Sequence, residues 1–330
     1  MGENGKRDER LIDEAARESF PASDPPAWTP THAGSPAVCP PKPELPRELR
    51  ERLRADVEAL LLARGEDRTE AITTAMLDAG RAVTKIPLSL TPPYDVESVE
   101  VVIRGPTEGR ELVIGASYDA GRGRPRLDPG ATSIAVLLAL TRLLAGRRYT
   151  RTVRLVAFAD VSSGAPNAMS GSRMYARRLH EQHVDVHAML ALHSVGFGPH
   201  RARRGKHFPL GLFRPWQGDF VAFVGSRKDR RIAAEMSAAF RAATDLEAKA
   251  RALPAILPMV SSSDHRAFAR EGFPAVMLTD WGPGPLPALG KLPRGIVTEP
   301  NFDLMADVVF GLAAVVAKLG HGEAPLVSAA

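Results

Sequence analysis

A strand–helix alternation that begins at Pro46 constrains this chain more than any other feature of its sequence. Leu49, Leu53, Val57, Leu60 and Leu61 recur at helical spacing, so Pro46–Ala63 is expected to be a helix. A second helix is expected over about Thr69–Gly80. Short apolar runs rich in branched residues then read as strands: Ser98–Arg104, Glu111–Ala116, Thr152–Ala159, Ala188–Val195, Phe220–Val224, Glu247–Leu253 and Ala275–Thr279. Between and after them fall amphipathic or apolar helices: Thr132–Ala145, Ser172–Gln182, Asp229–Ala242, His265–Arg270 and Asn301–Leu319. Strands separated by helices need crossover connections. The expected fold is therefore a three-layer α/β/α sandwich with a mainly parallel, mixed central sheet.

In such sheets ligands bind beyond the carboxyl ends of the strands. That directs attention to Ser117–Asp119, Asp160–Ser162, His193–Gly196 and Asp280, the residues that end the predicted strands. No internal repeat is present.

The flanks differ from this middle. Nine of the 28 prolines fall within residues 1–46. Frequent proline removes backbone donors and fixes φ, so neither helix nor sheet propagates there. Residues 1–46 are read as a disordered tail with one short helix over Arg10–Phe20, 47–320 as the folded domain and 321–330 as a C-terminal tail. In the first tail Phe20 and Trp28 could serve as anchors of a docking peptide, although an unstructured tail is the favoured reading.

Charge narrows the function classes. The formal net charge is +5, but 43 Lys and Arg are dispersed among 38 acids. Only Arg201–Lys206 and Arg227–Arg231 cluster, without interleaved aromatics or a nucleic-acid motif, so a nucleic-acid partner is not expected. No run reaches the ~20 apolar residues of a membrane span, and the polar start lacks a signal peptide's apolar core, so no membrane partner is expected. Cys39 is the single cysteine and forms no internal bridge, which points to a reducing, cytoplasmic setting.

Several segments, in order, resemble the co-catalytic zinc aminopeptidases, metallopeptidase family twenty-eight, which includes the glutaminyl cyclases. They are ELVIGASYD (Glu111–Asp119), AVLLALTRLLAG (Ala135–Gly146), TVRLVAFAD (Thr152–Asp160), GSRMYARRL (Gly171–Leu179), MLALHSVGF (Met189–Phe197), SSDHRAFAREGFPAVMLTD (Ser262–Asp280) and the last helix. The resemblance implies the zinc-exopeptidase fold. It also implies a chemistry in which two zinc ions share a carboxylate and activate water, while a glutamate moves the proton.

The same resemblance locates the site, residue by residue. The first metal ligand, a histidine in the family, falls on Ser117, and Asp119 is the residue that would orient it. The bridging aspartate falls on Asp128. The family's glutamate pair, general base then ligand, falls on Val161 and Ser162. The next acidic ligand falls on His193, and Asp264 and His265 match a pocket motif. A late histidine ligand has no counterpart between His265 and His321, and Lys291 stands near its place. A hydroxyl is a poor zinc ligand, valine neither binds metal nor takes a proton, and an ammonium repels a cation. The sequence thus leaves Asp128 and His193 as residual candidate ligands and no intact catalytic residue.

Other readings of these residues are weaker. His180, His183 and His187 lack the H-E-x-x-H spacing and are expected at a surface. Ser261–Ser263 beside Asp264 and His265 lack a nucleophile elbow, and adjacent side chains diverge. His193 is expected to be a hydrogen-bonded pocket residue. Gly115 and Gly130 are read as turn positions. The sequence therefore predicts a zinc-aminopeptidase homologue without metal-dependent peptidase activity, without cofactor, and with an unknown protein or peptide partner. The alternative is a working hydrolase holding one zinc on Asp128, His193 and a third, unnamed ligand.

Overall fold

The computed structural model describes residues 46–89, 95–106, 109–120, 129–160, 170–196, 220–253, 263–280 and 299–321. The elements run α1 (Arg47–Leu62), α2 (Glu66–Leu77), β1 (Val83–Ser89), β2 (Asp95–Ile103), β3 (Glu111–Asp119), α3 (Pro129–Leu143), β4 (Val153–Asp160), α4 (Gly171–Glu181) and β5 (Val186–Leu192). There follow β6 (Phe220–Gly225), a turn of 3-10 helix (Arg227–Asp229), α5 (Arg230–Arg241), β7 (Glu247–Ala252), α6 (Asp264–Arg270), β8 (Ala275–Thr279) and α7 (Phe302–His321). Both tails lie outside the described residues, apart from Pro46 and His321.

The eight strands form one sheet in the order β1-β2-β4-β3-β5-β8-β6-β7. Strands β4, β3, β5 and β8 are mutually parallel, and β7 is parallel to β6. The pairs β1–β2, β2–β4 and β6–β8 are antiparallel. The parallel strands sit in the middle because their crossovers bury both faces, and accordingly β3, β4 and β5 are apolar on both sides.

Two hydrophobic layers sandwich the sheet. On one face Leu112, Ile114, Ala116 and Tyr118 of β3 pack in a core shared with α1, α2, α3, α5 and α7. On the other, Val113 of β3, Val156 and Phe158 of β4, and Met189 and Ala191 of β5 pack with α4 and α6 through Tyr175, Leu179 and Phe268. The period-2 alternation of each strand assigns its residues to these two faces. Among the described residues no helix is long and apolar enough to cross a membrane.

Four local expectations are corrected. Strand β1 was not expected; it is the sheet edge, where Pro87 is tolerated, and that proline hides the strand in the sequence. Helix α2 begins three residues before the expected Thr69, after Gly65 at φ 56°, and the Thr69 side chain instead bonds the Tyr118 hydroxyl at 2.9 Å. Gly115 is no turn residue. It lies inside β3, where a Cβ would fall 2.2 Å from Phe158 Cε2, so glycine admits the neighbouring ring. Gly130 likewise lies in the first turn of α3, behind Pro129, a residue suited to that position.

Candidate functional site

The site is built by strand register. Ala116 of β3 is level with Leu192 of β5, and Leu192 is level with Leu278 of β8. His193, the next residue, is therefore level with Ser117, and its backbone N–H donates to Leu278 O at 2.9 Å. On the other side Asp119 is level with Asp160. Alternation carries Ser117, Asp119, Asp160 and His193 onto the sheet face beneath α4 and α6, continuing the rows of Val113, Phe158 and Ala191.

Helix α6 closes over this face. Ser117 Oγ donates to Asp264 Oδ1 at 2.6 Å, and Asp264 is 7% exposed. Burial raises the Asp264 carboxyl above the ordinary carboxylate range, opposed by hydrogen bonds from the hydroxyls of Ser117 and Ser172. Ser172 Oγ lies 3.1 Å from Ser170 Oγ, so a short row of hydroxyls at the start of α4 leads to this carboxyl.

Two histidines complete the cluster. Burial lowers His193 to about 4. Burial, then the charges of His193 and Arg266, lower His265 to about 3. Both imidazoles are neutral near pH 7. His265 is 2% exposed, and its Nδ1 has no hydrogen-bond partner among the described residues. His193 was expected to be hydrogen-bonded; its backbone is, while its imidazole makes no hydrogen bond among the described residues.

The turn after β5 is held in an unusual shape. Ser194 has φ 54°, a left-handed conformation uncommon for a residue with a Cβ, and it is 3% exposed. Gly196 has φ 99°, and a Cβ there would fall 2.9 Å from Met305 Sδ. The Gly196 N–H donates to Asp280 Oδ2 at 2.6 Å, and Asn301 N–H donates to Gly196 O at 2.8 Å. The start of α7 and the end of β8 thus fix the turn that carries His193.

Of the residues singled out from sequence, the structure brings Ser117, His193, Asp264 and His265 together. Asp119 ends the same strand, and its carbonyl accepts from Arg68 Nη1 at 3.1 Å. Asp128, Val161, Ser162 and Lys291 lie outside the described residues. His180, His183 and His187 do not converge: they fall on the end of α4, on a turn at φ 54°, and in β5. Sequence reasoning missed Ser172, whose hydroxyl meets Asp264 from a different helix, and Arg266, whose charge lies beside His265. Their only signal was membership of the segments GSRMYARRL and SSDHRAFAREGF.

Among the described residues no three His, Cys, Asp or Glu side chains gather as a metal site. The donor set does not fit the family's zinc pair. Ser117, which the sequence resemblance sets at the first ligand position, offers a neutral hydroxyl already donating to Asp264.

Comparison with known proteins agrees with this geometry. The profile of the family described as peptidase family M28 matches residues 99–286. An uncharacterised protein of Escherichia coli (strain K12), YfbL, is 29% identical over 264 residues, spanning 74% of this chain and 77% of that one. LapB from Legionella pneumophila superposes with a TM-score of 0.59 at 16% identity, over 86% of this chain and 77% of that one. A Zn-dependent exopeptidase from Parabacteroides distasonis gives 0.55 at 14% identity, over 83% and 99% of the two chains. Tannerella forsythia glutaminyl cyclase gives 0.56 at 14% identity, over 81% and 98%. These three share the fold.

Proposed function

The chain belongs to peptidase family M28, and we propose that it has given up metal-dependent peptide hydrolysis and uses its strand-end cleft to bind a peptide or protein partner. The observation that carries this reading is the Ser117–Asp264 hydrogen bond. At the place of the first metal ligand stands a hydroxyl that spends its proton on a buried carboxyl. A neutral hydroxyl that keeps its proton and points it at a carboxyl is a weak zinc donor. By sequence, the proton-moving glutamate is replaced by Val161, and a valine offers a water no base. The single cysteine supports a cytoplasmic setting, and the proline-rich residues 1–46 support a tail that the domain does not need for folding.

The test pairs elemental analysis of the purified protein with an aminopeptidase assay over a panel of aminoacyl substrates, with and without added zinc. The expected result is no stoichiometric zinc and no amino acid released. One zinc per chain, with activity abolished by His193→Ala, would instead establish a working hydrolase with a metal on Asp128 and His193.

A further inference from the structure

A cavity of about 440 Å³ lies at the amino ends of β3, β5 and β8, against the start of α5. Its His187 precedes His193 along β5 by roughly 20 Å, at ~3.3 Å per residue, so the cavity stands apart from the strand-end site. Its lining charges are Arg110, Lys228 and Arg231 against Asp229 and Glu235. Arg110 and Asp229 are already engaged. Arg110 donates to Asp185 at 3.1 Å, while Asp229 accepts from the Ser226 hydroxyl and the Ala275 N–H. Lys228, Arg231 and Glu235 make no hydrogen bond or ion pair among the described residues.

Spacing places these three together and leaves them unpaired. Lys228, Arg231 and Glu235 follow one another at three and four positions, so they share a face where the 3-10 turn runs into α5. Arg231 precedes Glu235 by four residues, the weaker orientation of a helical ion pair. Ile232, Phe273 and Pro274 add apolar wall to the same cavity. His187 is half-buried, and its Nδ1 is buried without a partner among the described residues. Burial, then the charges of Arg151 and Arg110, hold its imidazole below the ordinary histidine value, against the smaller pull of Glu235 and Asp185. The ring is neutral near pH 7 and offers the cavity one further donor or acceptor.

The unengaged charges are two cations and one carboxylate, and the ligand that satisfies all three carries two carboxylates and one ammonium. We propose that this cavity binds a free acidic amino acid, with its carboxylates on Arg231 and Lys228 and its ammonium on Glu235. Arg231 offers a carboxylate its planar fork, and Lys228 a compact point charge. The His187 Nδ1 meets the ammonium or a carboxylate oxygen, according to its tautomer. The volume falls within the ~300–1,000 Å³ of small-molecule sites. This inference is independent of whether peptidase activity has been lost.

Isothermal titration calorimetry of the full-length protein at neutral pH tests this with L-glutamate, with L-glutamine, which lacks one anion, and with glutarate, which lacks the ammonium. L-glutamate should bind with a dissociation constant of about 1 mM or below, and each counterpart about tenfold more weakly, the discrimination one charged hydrogen bond provides. Arg231→Ala should weaken glutamate by a similar factor. Glu235→Gln, nearly isosteric, should erase the preference for glutamate over glutarate, a selective change that a loosened fold does not produce. Arg54→Ala removes the same charge from a different cavity, where Arg54 lies over Phe302, and should leave binding unchanged. Should Arg231→Ala melt early, Glu235→Gln carries the test alone. No saturable binding of L-glutamate up to about 10 mM, equal binding of the three probes, or an equal loss on Arg54→Ala would each overturn the proposal.

Discussion

Ser117 Oγ donates to Asp264 Oδ1 over 2.6 Å, joining the end of the central strand β3 to the first turn of α6. Residues 147 positions apart are held by this bond, and the carboxyl that receives it is almost wholly buried. On the reading proposed above, this internal hydrogen bond takes the place of the family's first metal ligand.

Ser117→Ala is expected to destabilise the fold. It removes one of two hydroxyl donors from a carboxyl that water cannot reach, and an under-satisfied buried charge costs about 1–3 kcal/mol. Asp264→Asn keeps an acceptor for Ser117 and should cost less than Asp264→Ala. Urea midpoints of the three variants provide the check. An unchanged midpoint for Ser117→Ala would mean that the hydroxyl is merely solvated.

Stability should fall on acidification through the histidine pair. Both groups have folded pKa values, about 4 for His193 and about 3 for His265, below the ordinary histidine value of 6.5. Their contribution is complete above pH 6.5 and is lost as pH drops toward those values, because the unfolded chain takes up protons that the folded one refuses. In that window His265 alone gives a slope of up to ~1.4 kcal/mol per pH unit. Asp264 acts oppositely: its folded pKa is raised, so its contribution is present at low pH and is lost as pH rises. Two histidines outweigh one carboxyl, so the urea midpoint should decline from pH 7 to pH 4.5. His265→Gln should flatten the decline, and a midpoint that rises toward acid would refute the assignment.

Much of the fold was legible because it is written locally. The apolar run of β4 and the spacing of leucines in α1 need no distant partner to be read, and both elements fall within a residue or so of where they were expected. Strand β1 was illegible because its pairing with β2 overrides a proline that argues against a strand. At the site, position was legible and environment was not. Strand ends nominated Ser117 and His193, but the pairing of Ser117 with Asp264, and the Ser172 hydroxyl behind it, arise only when α4 and α6 dock on the sheet. Arg266 was passed over for the same reason: what marks it is a lack of partners among the described residues, which no local pattern records.

A second buried charge network, away from the cleft, should be stringent about its centre. Arg154 of β4 pairs with Glu111 of β3 and, at 2.8 Å, with Glu100 of β2, while Tyr175 of α4 donates its hydroxyl to Glu100. Arg154→Ala strands two carboxylates, one of them 6% exposed, and breaking such a pair costs about 3–5 kcal/mol. The double change Arg154→Met with Glu100→Gln removes the buried charge, retains an acceptor for Tyr175, and leaves Glu111 to hydrate at the strand's start. It should recover most of the loss. Chemical denaturation of the single and double variants decides the point, and equal losses would show that packing rather than charge sets the cost.

The melting temperature should be indifferent to zinc and to chelators. A metal that binds the folded chain alone stabilises it by RT ln(1 + [L]/Kd), about 2.7 kcal/mol when zinc is at a hundred times its dissociation constant. In a chain of this size that is a shift on the order of 5 °C, well within reach of a scan. The described part of the site offers Ser117, whose hydroxyl is committed to Asp264, and His193, which the sequence resemblance sets where the family carries a carboxylate. The same resemblance sets Val161 and Ser162 at the glutamate pair and finds no counterpart for the late histidine between His265 and His321. Two residual ligands, Asp128 and His193, seldom hold zinc against buffer. Scans of the protein as purified, after EDTA, and with excess zinc should therefore coincide. A melting temperature that falls with EDTA and returns with zinc, and does neither in His193→Ala, would locate a functional metal at this strand end and return the chain to the working peptidases.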